Sequence, residues 1–297
     1  MIVTGKKFSK PDLSRVINGD TTLATPEQGP EKFRLDHLLV KQHPEYNRSS
    51  LQVFIKSGFV TVDGAIVQKP NAKFEVNAKI TLNVPATSQA KPKLPILYED
   101  DNVLVLNKPA GLLSMAKGEY CPEPTLEDYG MLVHRLDRDT SGVVILAKNP
   151  ATQKMLRKQF QDRKAHKTYY AVVEGHPKLA EAMIDLPIAR NLKRPTTFQV
   201  DQNGKASQTY YKVQQQNTRY SLVELKPKTG RTHQLRVHLD YLGTPILGDV
   251  VYGHGKPGDR LYLHAKELEI TIPGTSGGER KTFTAPLPPE FTKIMQA

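Results

Sequence analysis

The sequence predicts an α+β fold, with a large mixed or antiparallel β-sheet flanked by helices and loops, and a small αα-β unit ahead of it. Three observations carry this. From residue 96 onward strand-like runs come in clusters with few helical segments between them, which argues against a doubly wound parallel sheet. The 22 prolines and 20 glycines supply many turns. A Pro-, Ala- and Lys-rich stretch around residue 90 separates two segments of different size, as an interdomain linker does.

Each segment has its own signal. Residues 1–30 are polar, close on Thr25-Pro26-Glu27-Gln28-Gly29-Pro30, and read as a flexible arm. Residues 31–85 form a compact unit of about fifty residues, near the lower size at which a core suffices alone. Its residues 33–39 space their apolar side chains as a helix does. Asn47-Arg48-Ser49-Ser50 offers a cap for a second helix through Leu51, Val53, Phe54 and Ile55, and Gly58 offers its stop. Residues 59–64 read as a strand entering an Asp63-Gly64 turn, and residues 79–84 alternate as a last strand. Residues 86–95 are the linker, and residues 96–297 form the main domain.

In the main domain the strand candidates are residues 103–106, 142–147, 167–173, 209–213, 220–225 and 267–272. Residues 151–163 read as a helix with Met155, Leu156 and Phe160 on one side. A further helix is predicted from Thr232, carrying Leu235, Val237, His238 and Leu239.

Composition narrows the function classes. With 42 Lys+Arg against 30 Asp+Glu, the formal net charge is +12. Such a surplus favours a polyanionic partner through phosphate contacts and counterion release. Cys121 is the single cysteine, so neither a disulfide framework nor a multi-cysteine metal site is expected. No histidine stands near it, which speaks against a nucleophilic role. The nine histidines lack metal-ligand spacing, and no metal or cofactor is expected. No apolar run approaches a membrane span, and residues 1–7 lack the apolar stretch of a signal peptide, so the expected location is cytoplasmic.

Three polar segments set between apolar strands can carry chemistry. Residues 133–142 (Val-His-Arg-Leu-Asp-Arg-Asp-Thr-Ser-Gly) precede a strong strand, which places their polar groups in a loop held by a sheet. A solvated charged turn is the plain alternative. Residues 226–238 bring two arginines and a loop-to-helix transition, able to meet an anion or a carboxylate. Lys167-Thr168-Tyr169-Tyr170 sets tyrosines on a strand, where aromatics are common anyway. Two look-alikes fail. Asp137-Arg138-Asp139-Thr140 lacks the preceding strand of an aspartyl-phosphate enzyme. Residues 253–258 spell Gly-x-Gly-x-x-Gly but are followed by a strand-like run over 259–264, not a helix.

Taken together these residues carry a resemblance. His134-Arg135-Leu136-Asp137 with Thr140-Ser141-Gly142 resembles the signature of the RluA-type pseudouridine synthases. Asn107-Lys108-Pro109-Ala110-Gly111 is similar to that family's early motif. Lys167-x-Tyr169 with Ala171 and Gly175 is similar to the second, and residues 229–236 with 243–249 to the third. Residues 33–84 resemble the S-four-type RNA-binding domain often fused ahead of such catalytic domains.

The resemblance implies an enzyme that isomerises uridine in structured RNA without cofactor or metal. It implies Asp137 as the catalytic carboxylate, Tyr169 as the active-site tyrosine and Arg231 as the arginine paired with the aspartate. Uridine must lose its N1–C1′ bond and gain a C5–C1′ bond. Asp137 serves this either by attacking C1′ or by removing a C2′ proton. A neighbouring guanidinium opposes the pKa rise that burial imposes on a carboxylate. Tyr169 would stack on the uracil and help remove the C5 proton. The target base must be flipped out. His134 and Arg135 would hold the displaced strand or a phosphate, while Lys108, Arg138 and Arg236 would add phosphate contacts. In the small domain Arg34, Arg48, Ser49, Lys56 and Lys69 are the expected RNA contacts.

The expected substrate is large-subunit (23S) ribosomal RNA, handled by a monomer without membrane attachment. Transfer RNA is the enzymatic alternative, and a silent RNA-binding or ribosome-assembly protein the non-enzymatic one. Two departures from the family pattern stand out. The stretch from Gly111 to His134 is short, with residues 125–129 reading as the stump of a longer helix. Asn77-Ala78 replaces a usual Gly-Asp near the end of the small domain.

Overall fold

The computed structural model of the chain describes residues 31–84, 91–116, 121, 123–274 and 277–297. Two compact units divide the chain, Met1–Val84 and Pro85–Ala297. The arm expected over residues 1–30, and residues 86–90 of the expected linker, lie outside the described residues.

The small unit runs β1 (Lys32–Arg34), α1 (Leu35–Gln42), α2 (Arg48–Lys56), β2 (Val60–Val62), β3 (Ala65–Ile66), β4 (Lys73–Glu75) and β5 (Ile80–Leu82). The first helix starts later than its apolar spacing predicts because Phe33 and Arg34 are taken by pairing with Phe74 and Lys73. The Asn47 side chain accepts the Ser50 N–H at 2.9 Å and caps α2. Gly58, at φ +80, follows its end. Leu35, Leu39, Leu51, Phe54 and Ile55 are fully buried between the helices and the strands.

The large unit begins with β6 (Ile96–Glu99), β7 (Val103–Lys108), β8 (Met131–Leu132), β9 (Ser141–Ala147), α3 (Pro150–Gln161) and β10 (His166–Glu174). It continues through β11 (Glu181–Asp185), β12 (Ile188–Arg190), β13 (Phe198–Val200), β14 (Gln208–Gln216), β15 (Tyr220–Pro227) and α4 (Gln234–Tyr241). The last elements are β16 (Leu263–Gly274), β17 (Gly277–Thr284) and α5 (Pro289–Gln296). One sheet takes the order β11-β14-β15-β10-β16-β9-β7-β6, with β17 beside β16 and β8 beside β9. The β9–β16 pair is parallel and the other neighbours are antiparallel, so the sheet is mixed.

Strand β9 is buried at all seven positions. Val143, Ile145 and Ala147 face one core with Leu156 of α3, whereas Val144 and Leu146 face another with Leu112, Leu126 and Leu136. A strand covered on both faces must read as a continuous apolar run rather than an alternating one. Helix α3 is capped by Asn149, whose side chain accepts the Thr152 N–H, and starts at Pro150. At the head of β9, Gly142 sits at φ +115, and a Cβ there would lie 2.1 Å from the Ala265 carbonyl oxygen. Only glycine lets β9 approach β16 so closely.

Some boundaries differ from the sequence reading. Helix α4 begins at Gln234 rather than Thr232, because His233 adopts the left-handed conformation at φ 56. Residues Leu126–Asp128 form a single 3-10 turn in place of a helix stump, closed by a reciprocal cap between Thr125 and Asp128. Strand β16 starts at Leu263, so residues 259–262 are not strand. No helix of the described residues is long and apolar enough to cross a membrane.

Candidate active site

The loop between β8 and β9 carries Asp137, and its backbone is tied down from several sides. Ser114 Oγ donates to Leu136 O at 2.7 Å and accepts the Leu136 N–H at 3.1 Å. Lys108 is fully buried at the end of β7, and its Nζ donates to Arg138 O at 2.8 Å and Pro109 O at 2.9 Å. The Gly111 N–H also reaches Arg138 O, at 2.9 Å, and Arg138 Nε returns a bond to Gly111 O. Arg260 holds the far end through Asp139 O at 3.0 Å and Ser141 Oγ at 2.6 Å. Side chains on rigid, hydrogen-bonded backbone of this kind keep a fixed aim.

Opposite the loop, the first turn of α4 supplies a guanidinium. Arg236 is bidentate to Asp249, with Nε–Oδ2 at 2.7 Å and Nη2–Oδ1 at 2.8 Å. Its remaining nitrogen, Nη1, stands 3.6 Å from Asp137 Oδ2. The side chains of Asp249, Arg236 and Asp137 are 0%, 7% and 22% exposed, so the trio runs from the interior to the edge of a cavity. Burial opposes ionisation of Asp249, but the Arg236 bonds outweigh it and hold the carboxyl below its usual range. Arg236 is likewise disfavoured by burial and stabilised as a cation by Asp249 first and Asp137 next. Its planar fork also lies over Tyr252, 5.0 Å from the ring centroid.

Gln234 fixes the start of α4. Its Oε1 accepts the Arg231 N–H at 3.0 Å and the Thr229 hydroxyl at 2.7 Å. Its Nε2 donates to Gln208 O and Thr209 Oγ1, both at 2.9 Å. His233 then takes a left-handed backbone rare for a residue with a side chain. That backbone brings its ring between Tyr252, 2.8 Å from Nδ1, and Asp137, 3.9 Å from Nε2. Burial lowers the His233 pKa against the pull of Asp137, which favours the neutral ring.

Asp137 opens into a cavity of about 740 Å³. Arg135, Arg163, Lys167, Lys228, Arg231 and Arg236 line it, and among the described residues Asp137 is the one carboxylate that does. Tyr169 on β10 lines it too. Burial, then the Asp137 charge, pushes its phenol well above the usual tyrosine range, so it faces the cavity as a neutral ring.

The structure brings Asp137, Tyr169, His134, Arg135, Arg231 and Arg236 to this cavity but redistributes their expected parts. The guanidinium beside Asp137 belongs to Arg236 and not to Arg231, whose exposed side chain donates to Ala206 O at 3.3 Å. Arg236 is therefore a buried partner of two carboxylates and no phosphate contact. Lys108 is no phosphate contact either: it lies under the loop, with its pKa pulled to about 7 by burial against the attraction of Asp139. His134 turns inward. Its Nε2 accepts the Ile145 N–H at 3.1 Å and its ring stacks on Phe160 at 4.5 Å. Burial and the nearby Lys167 lower its pKa to about 3, so it presents no positive charge. Arg138 is exposed but paired with Glu123 at 2.8 Å, while exposed Arg135 faces the cavity.

In the small unit, Arg34 and Arg48 both converge on the buried carboxylate of Asp36, with closest N–O distances of 2.9 Å. Gln52 adds a third bond to it at 2.7 Å. The two guanidiniums stay about half exposed, and Ser49, Lys56 and Lys69 are exposed. Sequence reasoning missed Asp249, His233 and Tyr252 as parts of the site. Asp249 and His233 stood in motifs already noted for their resemblance; Tyr252 carried no signal of its own.

Two outcomes follow from this geometry. Asp249→Ala leaves Arg236 buried without its bidentate partner, and the unfolding free energy in urea should fall by about 3–5 kcal/mol. A loss below about 1 kcal/mol would contradict the anchoring. His134 stays unprotonated in the folded state below the ordinary value of 6.5, where the unfolded chain takes up a proton. Its contribution is thus present above pH 6.5 and lost as pH falls toward about 3. Urea denaturation at pH 7 and pH 5 should therefore show a smaller acid loss for His134→Gln than for wild type, and equal losses would refute the buried neutral ring.

Comparisons with known proteins give the chain's family. Residues 102–241 match the family described as RNA pseudouridylate synthase, and residues 33–80 match the S4 domain. A ribosomal large subunit pseudouridine synthase D of Nitrosomonas europaea is 34% identical over 99% of this chain and 93% of its own length. One of the same name from Vibrio vulnificus is 32% identical, covering 89% of this chain and 90% of its own. Among solved structures, human RNA pseudouridylate synthase domain containing 1 superposes with a TM-score of 0.55 at 27% identity, over 70% of this chain and 98% of that one. Human RNA pseudouridylate synthase domain containing 4 gives 0.55 at 26% identity, over 68% and 92%. Similarity along nearly the whole length places the chain in the RNA pseudouridylate synthase family, as an isomerase of uridine in RNA with an S4 domain ahead of its catalytic unit.

Proposed function

We propose that the chain converts particular uridines of large-subunit ribosomal RNA to pseudouridine, acting as a monomer in the cytoplasm, with Asp137 as the catalytic carboxylate. The observation that carries this reading is the cavity itself. A single carboxylate, bracketed by a buried guanidinium, faces a hollow whose other charged lining groups are basic. A polyanion is drawn to such a surface, and one extruded nucleotide is of a size to enter it.

Asp137 acts on the ribose, by attack at C1′ or by removal of a C2′ proton; both start from one position. Arg236 Nη1 stands 3.6 Å from its Oδ2, and Asp249 keeps Arg236 from turning away. Tyr169, neutral and fixed on a strand, packs against the uracil. Burial first, and the charge of Asp137 next, keep its phenol protonated. Arg135 occupies the place left in the RNA or meets a phosphate. Arg231, on the exposed rim, meets the RNA backbone rather than the aspartate. In the S4 domain Arg34 and Arg48, preset by Asp36, contact phosphates together with Ser49, Lys56 and Lys69. The ribosomal target is supported by the relatives named for it, which match along nearly their whole length.

Pseudouridine mapping in cells lacking the protein tests this. One or more large-subunit sites should become unmodified, return with the wild-type gene, and stay unmodified with Asp137→Asn. Loss confined to transfer RNA would move the substrate, and full rescue by Asp137→Asn would remove Asp137 from the chemistry.

A further inference from the structure

Lys167 is the half-buried basic residue of the cavity that nothing above employs. It lies two positions before Tyr169 on β10, with a β-bulge against β16 between Thr168 and Tyr169. Both line the cavity. Its Nζ lies against the loop before α4, where a Cβ on Gly230 would sit 3.5 Å from it. Among the described residues no hydrogen bond or ion pair reaches this ammonium. The other basic lining residues differ. Arg135, Arg163, Lys228 and Arg231 are exposed at the rim, and Arg236 is taken by Asp249 and Asp137.

This division matches the two kinds of negative charge the reaction brings. Phosphates stay on the RNA strand, outside, where the exposed cations stand. Uracil goes inside. When the N1–C1′ bond breaks, its electron pair leaves with the base, which becomes an anion delocalised over N1 and the carbonyl oxygens. This holds whether Asp137 attacks C1′ or a C2′ proton is lost. C5 then bonds to C1′, which releases the Asp137 carboxylate from C1′ on the first route or takes the proton back from Asp137 to C2′ on the second; the C5 proton departs to water and N1 takes one up, so atoms and charge balance.

We propose that Lys167 is a further catalytic residue, whose ammonium meets a carbonyl oxygen of the detached uracil and stabilises its negative charge. A desolvated cation aimed at charge that develops only in the reaction stabilises the transition state more than the bound substrate. Lys167 stays protonated throughout and moves no proton. Burial lowers its pKa, as expected of an ammonium awaiting a partner. The inference rests on the reading of Asp137 as the carboxylate acting on the ribose.

The test is single-turnover isomerisation with saturating RNA, alongside RNA affinity and thermal unfolding, for Lys167→Met, Lys167→Arg and Asp137→Asn. Lys167→Met should slow the saturated rate by about 100-fold or more, leave affinity and its salt dependence within about twofold, and leave unfolding unchanged or slightly raised. In wild type the rate should fall on the alkaline side as the lysine loses its proton, below its ordinary value of 10.5. Lys167→Arg, charged at every such pH, should lack that fall. A wild-type rate in Lys167→Met with an inactive Asp137→Asn overturns this inference alone. Weaker RNA binding at an unchanged saturated rate overturns it in favour of a phosphate contact. An active Asp137→Asn overturns the reading beneath it.

Discussion

One guanidinium organises the site. Arg236 holds Asp249 with two short bonds and offers its third nitrogen to Asp137, so a single planar group sets three segments in register: the β8–β9 loop, the first turn of α4 and the loop before β16. A buried cation without partners would be costly. Paired in this order, each charge removes the other's penalty. The interior carboxylate neutralises the arginine, and the arginine's third nitrogen meets the carboxylate that opens into the cavity.

The remainder of the unit keeps that geometry from relaxing. The β8–β9 loop hangs on backbone bonds from Lys108, Gly111 and Ser114, so its aim does not depend on its own exposed charges. Gln234 does the same for α4, using all its hydrogen-bonding directions within the protein. Strand β9, which that loop enters, is buried on both faces. Preorganisation of this kind moves the cost of ordering polar groups from the reaction to folding.

Much of this was legible in the sequence, and the parts that were not share one cause. The apolar runs of β7 and β9 announce buried strands, and the polar segment ahead of β9 announces a loop on a rigid support. Asp137, in that loop, and Tyr169, on a strand where aromatics are common anyway, were singled out by the family resemblance. Arg231 and Arg236 were harder to tell apart. Which of them faces Asp137 depends on where α4 begins, and that is set by the left-handed backbone of His233, which no propensity foretells. Lys108 read as a surface cation because lysine usually is one. Only the fold reveals two carbonyls waiting beneath the loop. Asp249 binds Arg236 across thirteen residues and a change of element, a separation that periodicity does not register.

The chemistry asks for a carboxylate near a ribose, a place for an extruded base and phosphate contacts outside. The cavity arranges its groups in that sequence from wall to rim. The most direct measurement is a structure of the chain bound to RNA containing its target uridine. The account predicts the uridine everted into the cavity, with C1′ or C2′ within about 3.5 Å of the Asp137 carboxylate and Arg236 still bonded to Asp249. A ribose turned away from Asp137, or a nucleotide seated outside this cavity, would contradict it.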